Sequence, residues 1–120
     1  QFSDEYSSAD FTIEPGWLPD GFTLSDEGKS YTTMYKTFQD SNDNTIFISR
    51  GILSGSPLSV DSEDATVTSA TIQKYEATVI TKDEWNCIVI PMSDKNEIIY
   101  LDSEGISANM LEKVAENLVL

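Results

Sequence analysis

Trp85-Asn86-Cys87-Ile88-Val89-Ile90, a polar turn from Met92 to Asn96, Glu97-Ile98-Ile99-Tyr100-Leu101, and a run from Ser107 to Leu120 with helical spacing together decide the fold. The two short runs are rich in β-branched and aromatic residues and apolar at successive positions. That pattern predicts a hairpin of two strands covered on both faces. In the last run Met110, Leu111, Val114, Ala115 and Leu118 fall on one face, while Glu112, Lys113, Glu116 and Asn117 fall on the other. The spacing predicts an amphipathic helix from Ser107 to the end, with Ser107 as N-cap; Met110 at the third helical position means there is no capping box. Its apolar stripe supplies one cover for the hairpin, and burying Leu111, Val114 and Leu118 stabilises by about 1.5–3 kcal/mol each.

Upstream of the hairpin, Thr66 to Ile72 and Ala77 to Thr81 read as two more strands around the turn Gln73-Lys74-Tyr75-Glu76, and Lys82-Asp83-Glu84 turns the chain into Trp85. Gly51 to Ala65 contains Gly55, Pro57 and the acids Asp61, Glu63 and Asp64, and reads as a long loop with a short strand at Leu58-Ser59-Val60. Long loops in compact domains are often functional, so Asp61, Glu63 and Asp64 are the first place to look for a recognition surface.

Tyr31 to Gln39 and Thr45 to Arg50 form another hairpin by composition and spacing, with Ile46 and Ile48 on one face and Phe47 on the other. Its loop, Asp40-Ser41-Asn42-Asp43-Asn44, alternates oxygen side chains as a calcium loop does. The pattern then breaks: Thr45 stands where the sharp-turn Gly belongs and Gly51 where the bidentate carboxylate belongs. We therefore expect an ordinary Asn/Asp turn and no metal. Before it, Phe22 to Ser25 alternates as a strand ended by Asp26-Glu27-Gly28. In Pro15-Gly16-Trp17-Leu18-Pro19-Asp20-Gly21-Phe22 two turns should tuck Trp17 and Leu18 into the body. Phe11-Thr12-Ile13 is a candidate short strand, and residues 1–10 read as a polar, acidic linker. Residues 11–120 then form a single domain.

Composition narrows the function classes. The chain has 120 residues, 7 Lys or Arg against 21 Asp or Glu, and a net charge of −14, a balance that repels nucleic acid and anionic headgroups. Histidine is absent, which removes the commonest general base, the usual partner of a Ser or Cys nucleophile and the commonest zinc ligand. Cys87 is alone, so no disulfide forms within the chain, and its apolar run predicts a buried thiol. No apolar run approaches the ~20 residues of a membrane span, so no direct membrane insertion is expected within residues 1–120. The chain does not open on Met; we expect a processed or truncated product whose targeting or anchoring segment lies before residue 1.

These residues predict an α+β fold: an antiparallel, largely meandering sheet of about six to eight strands with one C-terminal amphipathic helix packed on one face. The motif Pro15 to Phe22, the strand Tyr31 to Phe38, the segment Leu58 to Asp61, the central hairpin and the closing helix Ser107 to Leu118 resemble the bacterial family called domain of unknown function 4367. Members often carry a Gly-containing turn where this chain has Gln73 to Glu76. The resemblance implies a domain held outside the cytoplasmic membrane of Gram-positive bacteria, in lipoproteins or in single-span proteins with an anti-sigma-like part, and it implies no catalytic residues.

The function we expect is a non-catalytic extracytoplasmic sensing or binding module of a membrane-tethered protein. It is a monomer with no cofactor, and its partner is a protein or cell-envelope ligand. The alternatives are a hydrolase working with two carboxylates and an assembly domain that adds a strand to a partner at an open sheet edge.

Overall fold

A computed structural model of the protein describes residues 12–53 and 64–120. In chain order the strands are β1 (Thr23–Lys29), β2 (Thr33–Gln39), β3 (Thr45–Ile52), β4 (Thr66–Ile72), β5 (Tyr75–Lys82), β6 (Trp85–Met92) and β7 (Glu97–Glu104), followed by one helix, α1 (Ala108–Glu116). All seven strands form one sheet in the order β1-β2-β3-β7-β6-β5-β4, and every neighbouring pair is antiparallel. The chain meanders from one edge to the middle, crosses to the far edge, and meanders back until β7 closes against β3. The expected α+β architecture is therefore correct.

Register sorts the side chains. Lys36, Ile48, Leu101, Ile88 and Val79 lie in one row across five strands, and Phe38, Ile46, Ser103 and Asn86 in the next. Ile46, Ile48, Ile88, Ile90 and Leu101 are wholly out of solvent under α1, whose Leu111, Val114 and Ala115 face them. Ser107 caps α1 as its sequence predicts, its Oγ accepting the Met110 N–H at 3.2 Å.

At the other end of α1, Gln73 Nε2 donates to the carbonyl of Ala115 (3.2 Å), which also accepts the Leu118 N–H, and to that of Leu118 (2.9 Å) just beyond the helix. Gln73 has φ 57°, a conformation that favours glycine. A glycine in that turn would relieve the backbone but could not reach these carbonyls.

The segment before β1 lies on the same side of the sheet as α1. Gly16 N–H donates to Asn117 O at 2.8 Å, Val119 N–H to Glu14 O at 3.0 Å, and Pro15 bridges Leu118. A Cβ on Gly16 would meet Asn117 O at 2.9 Å, so the approach requires glycine. Arg50, buried, reaches Glu97 Oε1 (2.8 Å), Thr12 O (3.1 Å) and Val119 O (3.5 Å), joining sheet, leading segment and tail. Trp17 packs against the core as predicted, with the Lys113 ammonium 4.3 Å from its ring centroid.

Several local expectations need correcting. Thr12 and Ile13 form no strand, although Ile13 is buried, and Phe11 lies outside the described residues. Asp26, Glu27 and Gly28 do not end β1; after a register shift between Leu24 and Asp26 they continue to pair with β2 as far as Lys29. The helix ends at Glu116 rather than at Leu120, because the tail is drawn into backbone pairing with residues 14–16. Met110 faces outward and is 41% exposed. The linker 1–10, the strand at Leu58-Ser59-Val60, and Asp61 and Glu63 lie outside the described residues.

Candidate functional site

The sheet face away from α1 carries its own organised surface. Tyr35 on β2, Phe47 on β3 and Tyr100 on β7 form an aromatic row: the first two rings stack at 5.7 Å between centroids, and the second meets the third edge-on at 6.0 Å. Such contacts stabilise beyond simple burial by about 0.5–1.5 kcal/mol each. The Tyr35 ring lies where a Cβ on Gly28 would be, so glycine in β1 lets the aromatic row lie flat against the strand. Beyond Tyr100 the face continues through Val89 and Cys87 on β6 to Ile80 on β5 and Val67 on β4. Among the described residues no second layer covers it.

Carboxylates flank the rings. Tyr35 Oη donates to Asp26 Oδ2 at 3.3 Å and Tyr100 Oη to Asp102 Oδ2 at 2.9 Å. Glu76 and Glu104 share this face, against Lys82. Burial raises the Asp102 carboxyl above its ordinary pKa despite the lowering effect of the Tyr100 hydrogen bond, and the charge of Glu104 adds to the rise. Burial also raises Tyr100, with help from Asp102. Beside them Cys87 is wholly out of solvent, and desolvation pushes its thiol up to about 11 against the lowering influence of the nearby Tyr100 hydroxyl. Nucleophilic cysteines need the opposite, a lowered pKa and access. The native protein should therefore resist Ellman's reagent at pH 8, with the one thiol appearing only on unfolding; rapid reaction of the folded chain would contradict this burial.

Asp102 also leaves a pH signature. Because its folded pKa is raised, the folded state binds more protons than the unfolded state from the ordinary value of 3.8 upward, and this group's contribution to stability falls as pH rises through that window. Asp102→Asn, which keeps an acceptor for Tyr100, should raise the melting temperature at pH 7 and lose that advantage near pH 3. An equal effect at both pH values would rule this explanation out.

On the other side of the sheet a cleft of about 520 Å³ opens between the leading segment and the start of α1, lined in part by Trp17, Phe22, Ile106 and Met110 with Asp20 and Asp40. Asp40 is taken up by its own turn. Its carboxylate accepts the N–H groups of Asn42 and Asn44 at 2.9 Å each and Asn44 Nδ2 at 2.9 Å. Desolvation acts to raise its pKa, but the bonds from Asn44 and Asn42 outweigh it and hold the carboxyl below its ordinary value. A general acid needs a raised pKa, and a calcium ligand needs free oxygens. The Asp40 to Asn44 segment is thus the Asn/Asp turn its sequence suggested. Among the described residues no cluster of three or more Cys, Asp or Glu side chains has the geometry to hold a metal ion. Asp64, the described member of the predicted recognition group, is exposed just before β4 and away from both surfaces' aromatic residues.

Sequence analysis did not single out the row Tyr35, Phe47 and Tyr100. A signal existed: each sits at the opposite strand parity to the core-facing residues near it, Met34 and Phe38, Ile46 and Ile48, Ile99 and Leu101.

A seven-stranded antiparallel sheet with a single helix on one face and an aromatic, acid-flanked second face defines a small α+β domain. The chain matches the family model described as Domain of unknown function (DUF4367) over residues 12–118, and it belongs to that family. No curated protein and no solved structure matches it.

Proposed function

We propose that this domain is a non-catalytic binding module of a Gram-positive bacterial protein tethered outside the cytoplasmic membrane, a lipoprotein or an anti-sigma-like regulator, and that the helix-free sheet face holds its partner. The family's implied setting supports the location. The observation that carries the binding reading is the row Tyr35–Phe47–Tyr100, which continues into Val89, holds Asp102 between Phe47 and Cys87, and is edged by Asp26 and Glu104. Flat aromatic and aliphatic surface of this kind is enriched at the centres of protein interfaces. The acids at its rim, on a chain of net charge −14, select a partner surface that presents Lys or Arg around an apolar centre.

The test is photo-crosslinking in the native cell from a benzoylphenylalanine placed at Val89, with Glu112 on α1 as the control position. We expect a discrete adduct from Val89 that weakens with added salt and disappears when Phe47→Asp is introduced. Equal adducts from both positions, or indifference to Phe47→Asp, would reject this face. Protease shaving of intact cells checks the location separately: degradation of the domain without lysis is expected, and protection would refute it.

A further inference from the structure

We propose that β4 is a strand-addition site, whose outer edge takes an extended segment of a partner protein, uncharged where it pairs and basic at its ends. The sheet has two edges, and they are built differently. β1 carries a register shift between Leu24 and Asp26 and the charges Asp26, Glu27 and Lys29, the devices by which edge strands resist pairing. β4, Thr66-Val67-Thr68-Ser69-Ala70-Thr71-Ile72, has no charge, proline or glycine, and it pairs with β5 in unbroken register over its whole length.

Among the described residues nothing pairs with the outer side of β4, so its backbone N–H and C=O groups there form a ready ladder about 23 Å long at ~3.3 Å per residue. Such a ladder supplies main-chain affinity, and alternate side chains supply selectivity. Val67, 53% exposed, extends the apolar helix-free face to this edge and offers the first of those side-chain contacts.

Charge decides between occupants. Two copies joined through β4 would bring two chains of −14 together, whereas a segment with Lys or Arg at its ends is attracted. The local field agrees: Asp64 precedes the strand, Glu76 stands opposite Thr71, and the nearby Lys74 is paired with Asp94 at 3.4 Å.

The test uses the peptide Lys-Thr-Val-Thr-Ser-Ala-Thr-Ile-Lys, a copy of the strand flanked by lysines, against the same peptide flanked by glutamates, followed by amide shifts and amide exchange of the labelled protein. The lysine peptide should bind at least tenfold more tightly and slow exchange of the outward-facing β4 amides. Ser69→Lys should weaken it at least tenfold, while Thr32→Lys, the same charge in the exposed β1–β2 turn, should not. Absence of binding would overturn the proposal. So would shifts centred on Tyr35, Phe47 and Tyr100 in place of β4, which would leave the helix-free face as the docking surface. Light scattering that shows a dimer abolished by Ser69→Lys would assign the edge to a second copy and equally overturn it.

Discussion

Glu97→Gln is expected to lower the unfolding free energy by about 3 kcal/mol, the low end of the range for breaking a buried ion pair by removing one partner. Arg50 Nε lies 2.8 Å from Glu97 Oε1, and the two side chains are only 9% and 20% exposed. The loss is large because the substitution leaves a desolvated guanidinium without its counter-charge. A surface pair such as Lys74–Asp94, at 72% and 48% exposure, should by contrast change stability by less than about 1 kcal/mol when broken. The double variant Arg50→Met, Glu97→Leu should recover most of the loss, since neither charge then remains buried. It should not recover the order of the chain ends, because Arg50 also donates to Thr12 O and Val119 O. Urea unfolding gives the energies, and amide exchange at Gly16 and Val119 reports the ends. A Glu97→Gln protein within about 0.5 kcal/mol of the parent would show that the pair is not a stability determinant.

That clasp marks the limit of what the amino-acid order discloses. Local periodicity placed Ile46 and Ile48 opposite Phe47, placed Ser107 at the helix start and set Leu111 and Val114 toward the sheet, because each depends on neighbours a few residues away. The partner of β3 was not accessible in this way. Strand order depends on contacts between residues some fifty positions apart, and nothing in the period of either strand says that β7 slots between β3 and β6. The sequence pattern stops β1 short for a related reason. Asp26, Glu27 and Gly28 have turn chemistry, yet on an edge strand their side chains stay in solvent while the backbone pairs with β2.

The aromatic face is hidden by the same long-range assembly. Tyr35, Phe47 and Tyr100 are far apart in the chain and become one surface only when β2, β3 and β7 stand side by side. The length of the segment from Gly51 to Ala65 points instead to Asp61, Glu63 and Asp64, a group whose charges are near in sequence. The expected cover on both faces of β6 holds only on the α1 side: among the described residues no second layer lies over the other face, where Val89 is half-buried and Pro91 exposed. α1 covers Ile88 on one side, while on the other Cys87 is wholly out of solvent in the row between Asp102 and Ile80.

Leu111→Ala should cost about 3 kcal/mol, within the 2–5 kcal/mol typical of emptying a filled core position. Leu111 is wholly buried on the sheet-facing side of α1, in the same core cluster as Ile88, Ile99 and Leu101. A nine-residue helix has too few turns to hold itself in water, so α1 persists only through the apolar stripe it docks. The cavity therefore weakens the helix and the sheet's cover together, and unfolding should remain one transition with a lower midpoint. Met110→Ala is the internal comparison. Its side chain is next in sequence but 41% exposed at the rim of the cleft, and its removal should cost less than about 1 kcal/mol. Equal losses from the two substitutions, or a separate early loss of helix signal in Leu111→Ala, would mean that α1 is an appendage of the sheet. A single cooperative transition with the predicted asymmetry would mean that helix and sheet fold as one unit, so that β3, β6 and β7 owe their packing, and the aromatic face on their far side its rigidity, to this lid.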